Sequence, residues 1–322
     1  MSLETLLPKL EDTTEPLSVK ELADLSSIDR SAHEQFLEVW RRLSIQRRRT
    51  IIDRLADVAE DNVDFDFSRV FLAGLLDDDV QVRSQSIKAL WEYEGEDLPR
   101  ILLRLLSDPE AIVRSEAALG LGRYLLRAEL SDTVEPLTDD IEAALRTTVS
   151  DDAELVEVRG RALEALGVRG KEWVHDLIED AYAGGERRMQ ISAVHAMGRS
   201  SDPGWLPTVI EEMHSDDGEM RFEAAMAAGS IGEEEAIADL AELADDEDAE
   251  VQEAAIRALG EIGGPSARSV LHEIASDSKD ERILEAVSDA LAQADFSDDP
   301  LGIQLHINRS VAEDEEDRDD DE

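Results

Sequence analysis

The ten residues VRGRALEALG, from Val158 to Gly167, decide the fold because altered copies of them return along most of the chain. A typical copy begins with an apolar residue followed by Arg and ends with a small residue, Leu and Gly. The copies end at positions 91, 122, 167, 198, 229, 260 and 292, so the steps between them are 31, 45, 31, 31, 31 and 32 residues. A period of this length indicates an array of repeats in which each unit packs against its neighbours.

Each repeat reads as two helices joined by a short acidic turn. The turn that precedes the apolar-Arg pair is Asp77-Asp78-Asp79 in one unit and Ser107-Asp108-Pro109-Glu110 in the next. A joint this short places the two helices side by side and antiparallel. The apolar periodicity predicts about eight such pairs, and therefore an all-α fold, a right-handed α-solenoid.

Local signals mark the expected helix ends. Ser18 with Glu21, and Ser31 with Glu34, each fit a capping box, in which a hydroxyl and a carboxylate bond the first free amides of a helix. Asp108 is expected to cap a helix that starts at the following proline. The glycine that ends most copies is expected to adopt the left-handed conformation that terminates a helix. Small residues within the second helices predict close packing between units: Ala117, Ala162, Ala193, Ala224 and Ala255.

These features resemble the HEAT repeat family, and within it the short repeats of the phycobilisome-lyase type. The resemblance is carried by the segments 79–83 (DVQVR), 108–114 (DPEAIVR) and 158–167, and it covers residues 31–294. It implies an α-solenoid. For function it implies several classes, because the family includes scaffolds, adaptors, bilin lyase subunits and an iron-dependent hydroxylase of a modified lysine.

Three regions follow from the pattern. Residues 1–17 are expected to be a flexible lead-in, residues 18–294 the solenoid, and residues 295–322 an extended segment followed by a disordered acidic tail. The extended segment is predicted at 300–307, where apolar and polar residues alternate. The long step of 45 residues places an insertion around 125–138, either as an extended helix end or as a protruding loop.

The composition makes the protein strongly acidic, because 78 Asp and Glu against 32 Lys and Arg give a net charge of −46. Such a field repels nucleic acid and favours a basic or extended segment of another protein as the partner. The same acidity fits adaptation to concentrated salt, and both explanations stay open. The sequence shows no cysteine, secretory leader or membrane-length apolar run, so we expect a cytoplasmic protein that has no membrane partner.

No pattern of residues in this sequence indicates a catalytic site. The hydroxylase branch of the HEAT family binds two irons through several His-Glu pairs, whereas this chain has two, His33-Glu34 and His272-Glu273. They are 239 residues apart, which in an open solenoid separates them by several repeats. We therefore expect no shared metal site, no cofactor and no enzyme activity.

The second helices are predicted to line a concave face that binds the partner. Their recurring arginines stand one turn into the helix, within reach of the acidic joints of adjacent units, so they are also expected to form a ladder of ion pairs. In three copies Gln190, Gln252 and Leu284 replace the arginine, and there only the packing is expected to continue. With the neighbouring glutamates, the predicted contact residues are Arg83, Arg114, Arg159, Arg221, Glu116, Glu164, Glu223 and Glu253.

A cluster of arginines between positions 41 and 54 stands out from the acidic background. In one interpretation the arginines pair with nearby acids such as Asp57 and Glu60. In the other they bind an anion, for which the acidic tail Val311–Glu322 of another copy is a candidate, giving tail-mediated self-association. The residues of this anion patch are Arg41, Arg42, Arg47, Arg48 and Arg49.

The sequence as a whole favours a non-catalytic scaffold or adaptor that binds proteins through a long face of stacked helices. Two alternatives remain open. One is an accessory subunit resembling a bilin lyase, which the family resemblance alone implies. The other is a signalling or taxis adaptor.

Overall fold

The computed structural model describes residues 3–11, 17–62, 64–131 and 136–298. All regular structure within these residues is helical. Three short 3-10 turns, at Ala23–Leu25, Pro203–Trp205 and Glu234–Ala236, accompany the α-helices. The α-helices are α1 (Leu3–Glu11), α2 (Val19–Leu22), α3 (Arg30–Trp40), α4 (Ile45–Asp61), α5 (Ser68–Gly74), α6 (Val80–Ala89), α7 (Leu98–Leu105), α8 (Ala111–Leu130), α9 (Thr138–Ser150), α10 (Val156–Leu166), α11 (Glu172–Ala183), α12 (Arg187–Ser200), α13 (Leu206–Met213), α14 (Gly218–Ile231), α15 (Ile237–Leu243), α16 (Ala249–Ile262), α17 (Gly264–Asp277) and α18 (Glu281–Asp298).

Helices α3 to α18 form eight consecutive pairs, which confirms the predicted repeat architecture. In each pair the odd-numbered helix is the first and the even-numbered helix is the second. The chain divides into two compact units, residues 1–165 and 166–322, here called the N-terminal and the C-terminal unit. Within each unit the pairs stack through their second helices, so each unit is an α-solenoid.

The repeated glycine of the second helix is the point of closest contact between neighbouring pairs. A Cβ atom built at Gly198 would lie 2.6 Å from Ala227 Cα, a distance at which no side chain fits. The alanines predicted to pack closely are fully buried. The same contact recurs as Gly122 with Ala165 in the N-terminal unit, and as Gly167 with Ala196, Gly229 with Ala258 and Gly260 with Ala290 in the C-terminal unit.

The prediction that this glycine adopts the left-handed conformation was wrong. The left-handed residues lie three positions later, at Ser201 (φ 49°), Gly232 (φ 82°) and Gly263 (φ 65°). There the helices α12, α14 and α16 end. The repeated glycine stays inside the helix, and the contact with the next pair requires it to lack a side chain.

Capping confirms one predicted helix start and corrects two. The Ser18 hydroxyl accepts a hydrogen bond from the Glu21 amide, and the Ser18 amide donates to the Glu21 carboxylate. Helix α3 begins before Ser31, because Asp29 caps it by accepting from the Ala32 amide at 2.8 Å. Asp108 does not cap a helix at Pro109 either, because α8 begins only at Ala111.

Residues 3–11, predicted as part of a flexible lead-in, form helix α1 instead. Leu6 and Leu10 on this helix are fully buried. The buried side chain of Arg47 donates to the Leu10 carbonyl at 2.9 Å and to the Lys9 carbonyl at 3.0 Å. These are carbonyls at the end of α1, which have no partner within the helix, so Arg47 caps α1 from outside.

The insertion and the C-terminal boundary also take defined forms. Helix α8 continues eight residues beyond Gly122, which the insertion prediction allowed as an extended helix end. Helix α18 runs to Asp298, so the solenoid extends past the predicted limit at residue 294. The strand-like segment 300–307 and the acidic tail lie outside the described residues.

Candidate partner-binding surfaces

Two of the recurring arginines form the ladder as predicted. Arg83 donates through Nε and Nη2 to both carboxylate oxygens of Asp108, at 2.9 and 2.8 Å. Arg221 makes the same fork to Asp246, at 2.7 and 2.8 Å. In each case Nη1 donates to a carbonyl six residues earlier, in the arginine's own joint. One guanidinium thus ties two consecutive pairs together, with three of its donors used.

The Asp108 carboxylate has partners other than the predicted helix cap. Its two oxygens receive the Arg83 fork, and Oδ1 also accepts from the Glu110 amide at 2.9 Å. The carboxylate is therefore committed to the joint and to the previous unit.

The long step moves the next rung to a different acid. Arg114 donates to the two oxygens of Glu154 at 2.7 and 2.6 Å, across the insertion. These hydrogen bonds raise the pKa of Arg114 and lower the pKa of Glu154. Arg159 bonds within its own joint, to the Val149 carbonyl at 3.0 Å and to the exposed Asp152 at 3.5 Å.

Substitutes appear where the repeat lacks its arginine. Arg187, three positions before Gln190, donates to Asp217 at 2.8 Å and lowers its pKa. Gln252 keeps the bond to the carbonyl six residues earlier, donating to Asp246 O at 2.7 Å. Arg282 then reaches back from the following pair and donates to the Gln252 side chain at 3.0 Å. The ladder therefore continues past two of the replaced positions.

The ladder changes the interpretation of the four predicted contact arginines. Arg83 is buried, and Arg114, Arg159 and Arg221 are largely buried. All four side chains already bond to the protein itself, so they are not free groups on the surface. The reason is their place in the helix: one turn from the N-terminus all four face the joint of their own pair, and Arg83, Arg114 and Arg221 also reach an acid of the next joint.

The four predicted contact glutamates differ in accessibility. Glu164 is buried and lies 2.6 Å from Arg161, so it is removed from the predicted surface. Glu116 pairs with Lys88 at 3.1 Å, and Glu223 pairs with Nδ1 of His195 at 3.0 Å. Glu253 is exposed and pairs with Arg282 at 2.7 Å.

The arginines of the predicted anion patch mostly have structural partners. Arg47 caps α1, as described above. Arg49 donates a fork to Asp79 at 2.8 and 2.6 Å, which lowers the pKa of Asp79 and forms the first rung of the ladder. Arg48 Nε lies 2.9 Å from Asp77 Oδ2, an atom that also accepts from the indole of Trp40.

The other two members of the patch lie at the surface. Arg42 pairs with Glu11 at 3.0 Å, and Arg41 is exposed with no hydrogen bond or ion pair to any described residue. Three of the five arginines are therefore held by helix ends and joints, and only Arg41 and Arg42 remain exposed for the anion-binding interpretation.

The second helices of the C-terminal unit carry an acidic groove. It lies between α16 and α18, has a volume of about 600 Å³ and is lined by Glu253, Arg257, Glu261, Arg282, Glu285, Asp289 and Gln293. Burial raises the pKa of the Glu261 carboxyl. Glu285 and Asp289 are exposed, as is Glu250 at the start of α16. This groove keeps one predicted residue, Glu253, at an accessible position.

An apolar stripe on α8 was not predicted from the sequence. Ile112, Leu119, Leu126 and Leu130 stand on the outer face of this helix, and Trp91 stands just beyond the end of the preceding second helix. The signal was present in the sequence as spacings of seven, seven and four residues, which place the four side chains on one face. It was hidden because the last two lie in the insertion, outside the repeat.

The described residues contain neither a cluster of metal ligands nor a helix that could cross a membrane. In that part of the chain no three His, Asp or Glu side chains come together as a metal site. Among the described helices none is long and apolar enough to cross a bilayer.

Comparison with known proteins agrees with this architecture. Residues 175–253 and 239–304 match the family described as HEAT repeats. Yeast importin-β has a similar structure, with a TM-score of 0.51 and 14% sequence identity, covering 91% of this chain and 46% of the importin chain. That likeness shows the α-solenoid fold. A search of curated proteins gives no match.

Two further solved structures are similar at lower scores. YibA of Escherichia coli has a TM-score of 0.43 at 17% identity, covering 75% of this chain and 95% of its own. Human deoxyhypusine hydroxylase has a TM-score of 0.31 at 19% identity, covering 91% of this chain and 96% of its own.

Proposed function

We propose that this protein is a non-catalytic scaffold that binds a basic segment of another protein along the open face of its second helices. The observation that carries the proposal is the use of arginine. Arg49, Arg83, Arg114 and Arg221 donate to joints inside the solenoid, so their positive charge is neutralised by internal carboxylates. These arginines do not offset the remaining acid, so the excess of 46 negative charges stays uncompensated and attracts cations and basic proteins.

The groove between α16 and α18 is the place where this surface is best formed for a partner. Its exposed carboxylates at Glu253, Glu285 and Asp289 follow two neighbouring second helices, with Arg257 and Arg282 between them. Carboxylates in rows on adjacent helices match the spacing of Lys or Arg side chains along an extended or helical segment. The groove is open and shallow, as expected for a surface that binds a chain segment.

The finer parts of the sequence prediction belong to the same proposal. We place the scaffold in the cytoplasm and class its repeats with the phycobilisome-lyase type, a subtype that a bilin-binding assay would test through the absorbance of added pigment. Self-association through Val311–Glu322 is a weaker part of the proposal, since Arg41 is the one member of the anion patch without a partner among the described residues.

The proposal is tested with a fluorescein-labelled, Lys/Arg-rich peptide of about 20 residues, whose binding is followed by fluorescence anisotropy. The test variant neutralises three carboxylates of the open face: Glu250→Gln, Glu285→Gln and Asp289→Asn. The control variant neutralises three exposed carboxylates of a first helix in the same unit: Asp176→Asn, Glu179→Gln and Asp180→Asn. Both variants change the net charge by the same amount.

We expect the open-face variant to weaken binding at least tenfold and the control variant to change it less than twofold. Affinity should fall as salt is raised from about 50 mM to about 500 mM, because the shorter Debye length screens the attraction between exposed charges. Equal weakening by both variants would mean that the peptide responds to net charge alone, and the proposed binding face would be withdrawn.

A further inference from the structure

Helix α8 has an outward face that the described residues of the N-terminal unit leave exposed. The exposed fractions of its apolar residues are 52% for Ile112, 42% for Leu119, 37% for Leu126 and 78% for Leu130, and Trp91 is 66% exposed. Together these five residues are called the apolar seam. At 100° per residue the four helical positions fall within an arc of about 40°, and at 1.5 Å per residue they span about 27 Å. Exposed apolar groups in one contiguous row mark interaction sites, whereas scattered ones do not.

The two polar residues on the same face, Glu116 and Arg123, are held towards α6 by ion pairs and hydrogen bonds. Glu116 pairs with Lys88 on α6 at 3.1 Å. Arg123 donates to the carbonyls of Leu90 and Tyr93, and so caps the end of α6. With both polar side chains held against α6, the outer surface of the seam is left to its apolar members. The order Ile112, Glu116, Leu119, Arg123, Leu126, Leu130 has the alternating spacing of four and three residues by which one helix packs along another.

Charge next to the seam defines the rest of the partner. Exposed carboxylates at Glu92, Glu94 and Glu96 follow Trp91 directly in the chain. A helix lying along the seam would pass these carboxylates with its flank, and Lys or Arg on that flank would pair with them. A second copy of this chain fits poorly, because two molecules with a net charge of −46 repel each other.

We propose that the apolar seam docks an amphipathic helix of about 18 residues from a basic partner protein, with apolar residues at spacings of three and four and Lys or Arg on its flanks. The inference rests on the proposed scaffold function and names a second contact for it, in the N-terminal unit. Trp91, whose carbonyl accepts a hydrogen bond from Arg123 near the middle of the seam, is the anchor, because large aromatic side chains dominate such interfaces.

The experiment uses the full-length protein and a synthetic 18-residue peptide with Leu at the seam positions and Lys at the others. The seam variant is Ile112→Ser with Leu130→Ser. The control variant is Leu155→Ser with Leu76→Ser, two apolar residues of the same unit with matching exposure, 54% and 74%. A peptide with the same composition and scrambled Leu positions separates shape from charge. Thermal denaturation of both variants checks that the fold is kept.

We expect the seam variant to weaken peptide binding at least tenfold, the control variant less than twofold, and the scrambled peptide to bind at least tenfold more weakly than the designed one. Tryptophan emission should shift to shorter wavelength on binding, and Trp91→Phe should abolish the shift, because Trp91 is far more exposed than Trp40 or Trp205.

Three results would overturn the inference. Equal affinities of seam and control variants for the designed peptide would show that the seam is not the site. Equal affinities of designed and scrambled peptides would show that charge alone selects the ligand. A dimer of the unmodified protein in sedimentation equilibrium that the seam variant dissociates would make a second copy the occupant. In each case the open-face carboxylate test described above would still decide the scaffold proposal independently.

Discussion

Replacing Arg221 by Gln tests whether the ladder of ion pairs stabilises the solenoid or has no effect on its stability. The side chains of Arg221 and Asp246 are 12% and 8% exposed, so the pair is nearly buried. Gln is the residue that the repeat itself carries at position 252, where it retains the bond to the carbonyl six residues earlier. Arg221→Gln should therefore keep that local bond and remove only the fork to Asp246.

The magnitude follows from the position of this pair between two limits. Removing one partner of a fully buried pair costs about 3–5 kcal/mol, and an exposed pair contributes about 0.2–1 kcal/mol. We expect Arg221→Gln to cost about 2–3 kcal/mol, because Asp246 keeps its charge without a counterion. Asp246→Asn in the same background should restore about 1–2 kcal/mol, since an amide needs no counterion.

Urea denaturation followed by circular dichroism measures these effects through the free energy of unfolding, with hydrogen exchange to localise them to α14 and α16. Arg30→Gln is the control, because Arg30 and Glu34 form an ion pair with 89% and 68% exposure. If Arg221→Gln costs no more than Arg30→Gln, or if the costs of Arg221→Gln and Asp246→Asn simply add in the double variant, the ladder has no stabilising role.

Three further predictions follow from the same packing and charges. Gly198→Ala should destabilise the C-terminal unit by about 1–2 kcal/mol in urea denaturation, because overpacking against Ala227 Cα exceeds the gain in helix propensity. Gly120→Ala should be neutral or stabilising, because its Cβ would meet only side-chain atoms, those of Leu102 at 3.3 Å and Ile87 at 3.6 Å. Thermal denaturation against pH should show stability rising as pH falls from 7 to about 5, as the acid excess is relieved and Glu261, whose pKa is raised by burial, takes up its proton. Stability should then fall below about pH 4, because Asp217 and Asp246 have lowered pKa values in the folded protein. Their contribution to the free energy of unfolding is complete above the pKa of the unfolded chain and is lost as pH falls through the pKa of the folded protein. A melting temperature that stays constant below about pH 4 would contradict this. Arg47→Met should release the end of α1 and speed proteolysis within residues 3–11, while Arg41→Met, at an exposed position, should not.

The architecture could be predicted because similar segments recur at a nearly constant spacing. A step of 31 residues requires equal units, and an acidic joint before each apolar-Arg pair fixes where the two helices of a unit meet. The partner of each arginine was harder to predict. Arg83 and Arg221 reach an aspartate 25 residues later, but the insertion gives Arg114 a glutamate 40 residues later, and sequence alone does not reveal which acid is nearest in space.

The repeated glycine shows how one residue type supports two interpretations. A glycine near a helix end fits both a left-handed terminus and a close approach of two backbones. The structure places the left-handed residue three positions later, where one copy has Ser201 instead of glycine. That copy was the available clue, because a helix terminus accepts serine, whereas a Cβ at Gly198 would lie 2.6 Å from the backbone of the next helix.

Which residues contact a partner stays a prediction, for a related reason. Recurrence marks what most units share, and the recurring arginines are bonded within the solenoid, where they join helices and joints. A residue that binds a partner has no cause to recur. The apolar seam illustrates this, because Leu126 and Leu130 lie in the one insertion that breaks the period, beyond the glycine where the other second helices are about to end.

The ladder and the surface charge are two consequences of the same residues. Arginine suits a joint because its Nε, Nη1 and Nη2 donate in fixed directions. One side chain can therefore donate a fork to a carboxylate of the next unit and also donate to a carbonyl of its own unit. The single ammonium group of lysine cannot form the fork and reach that carbonyl as well. Each rung withdraws one arginine and one carboxylate from the surface, so the excess of acid there is unchanged while fewer arginines remain to pair with it. The resulting repulsion between carboxylates works against the compact state, and salt relieves it. A basic partner relieves it as well, and so the feature that limits the stability of the free solenoid is also the one that favours its complex.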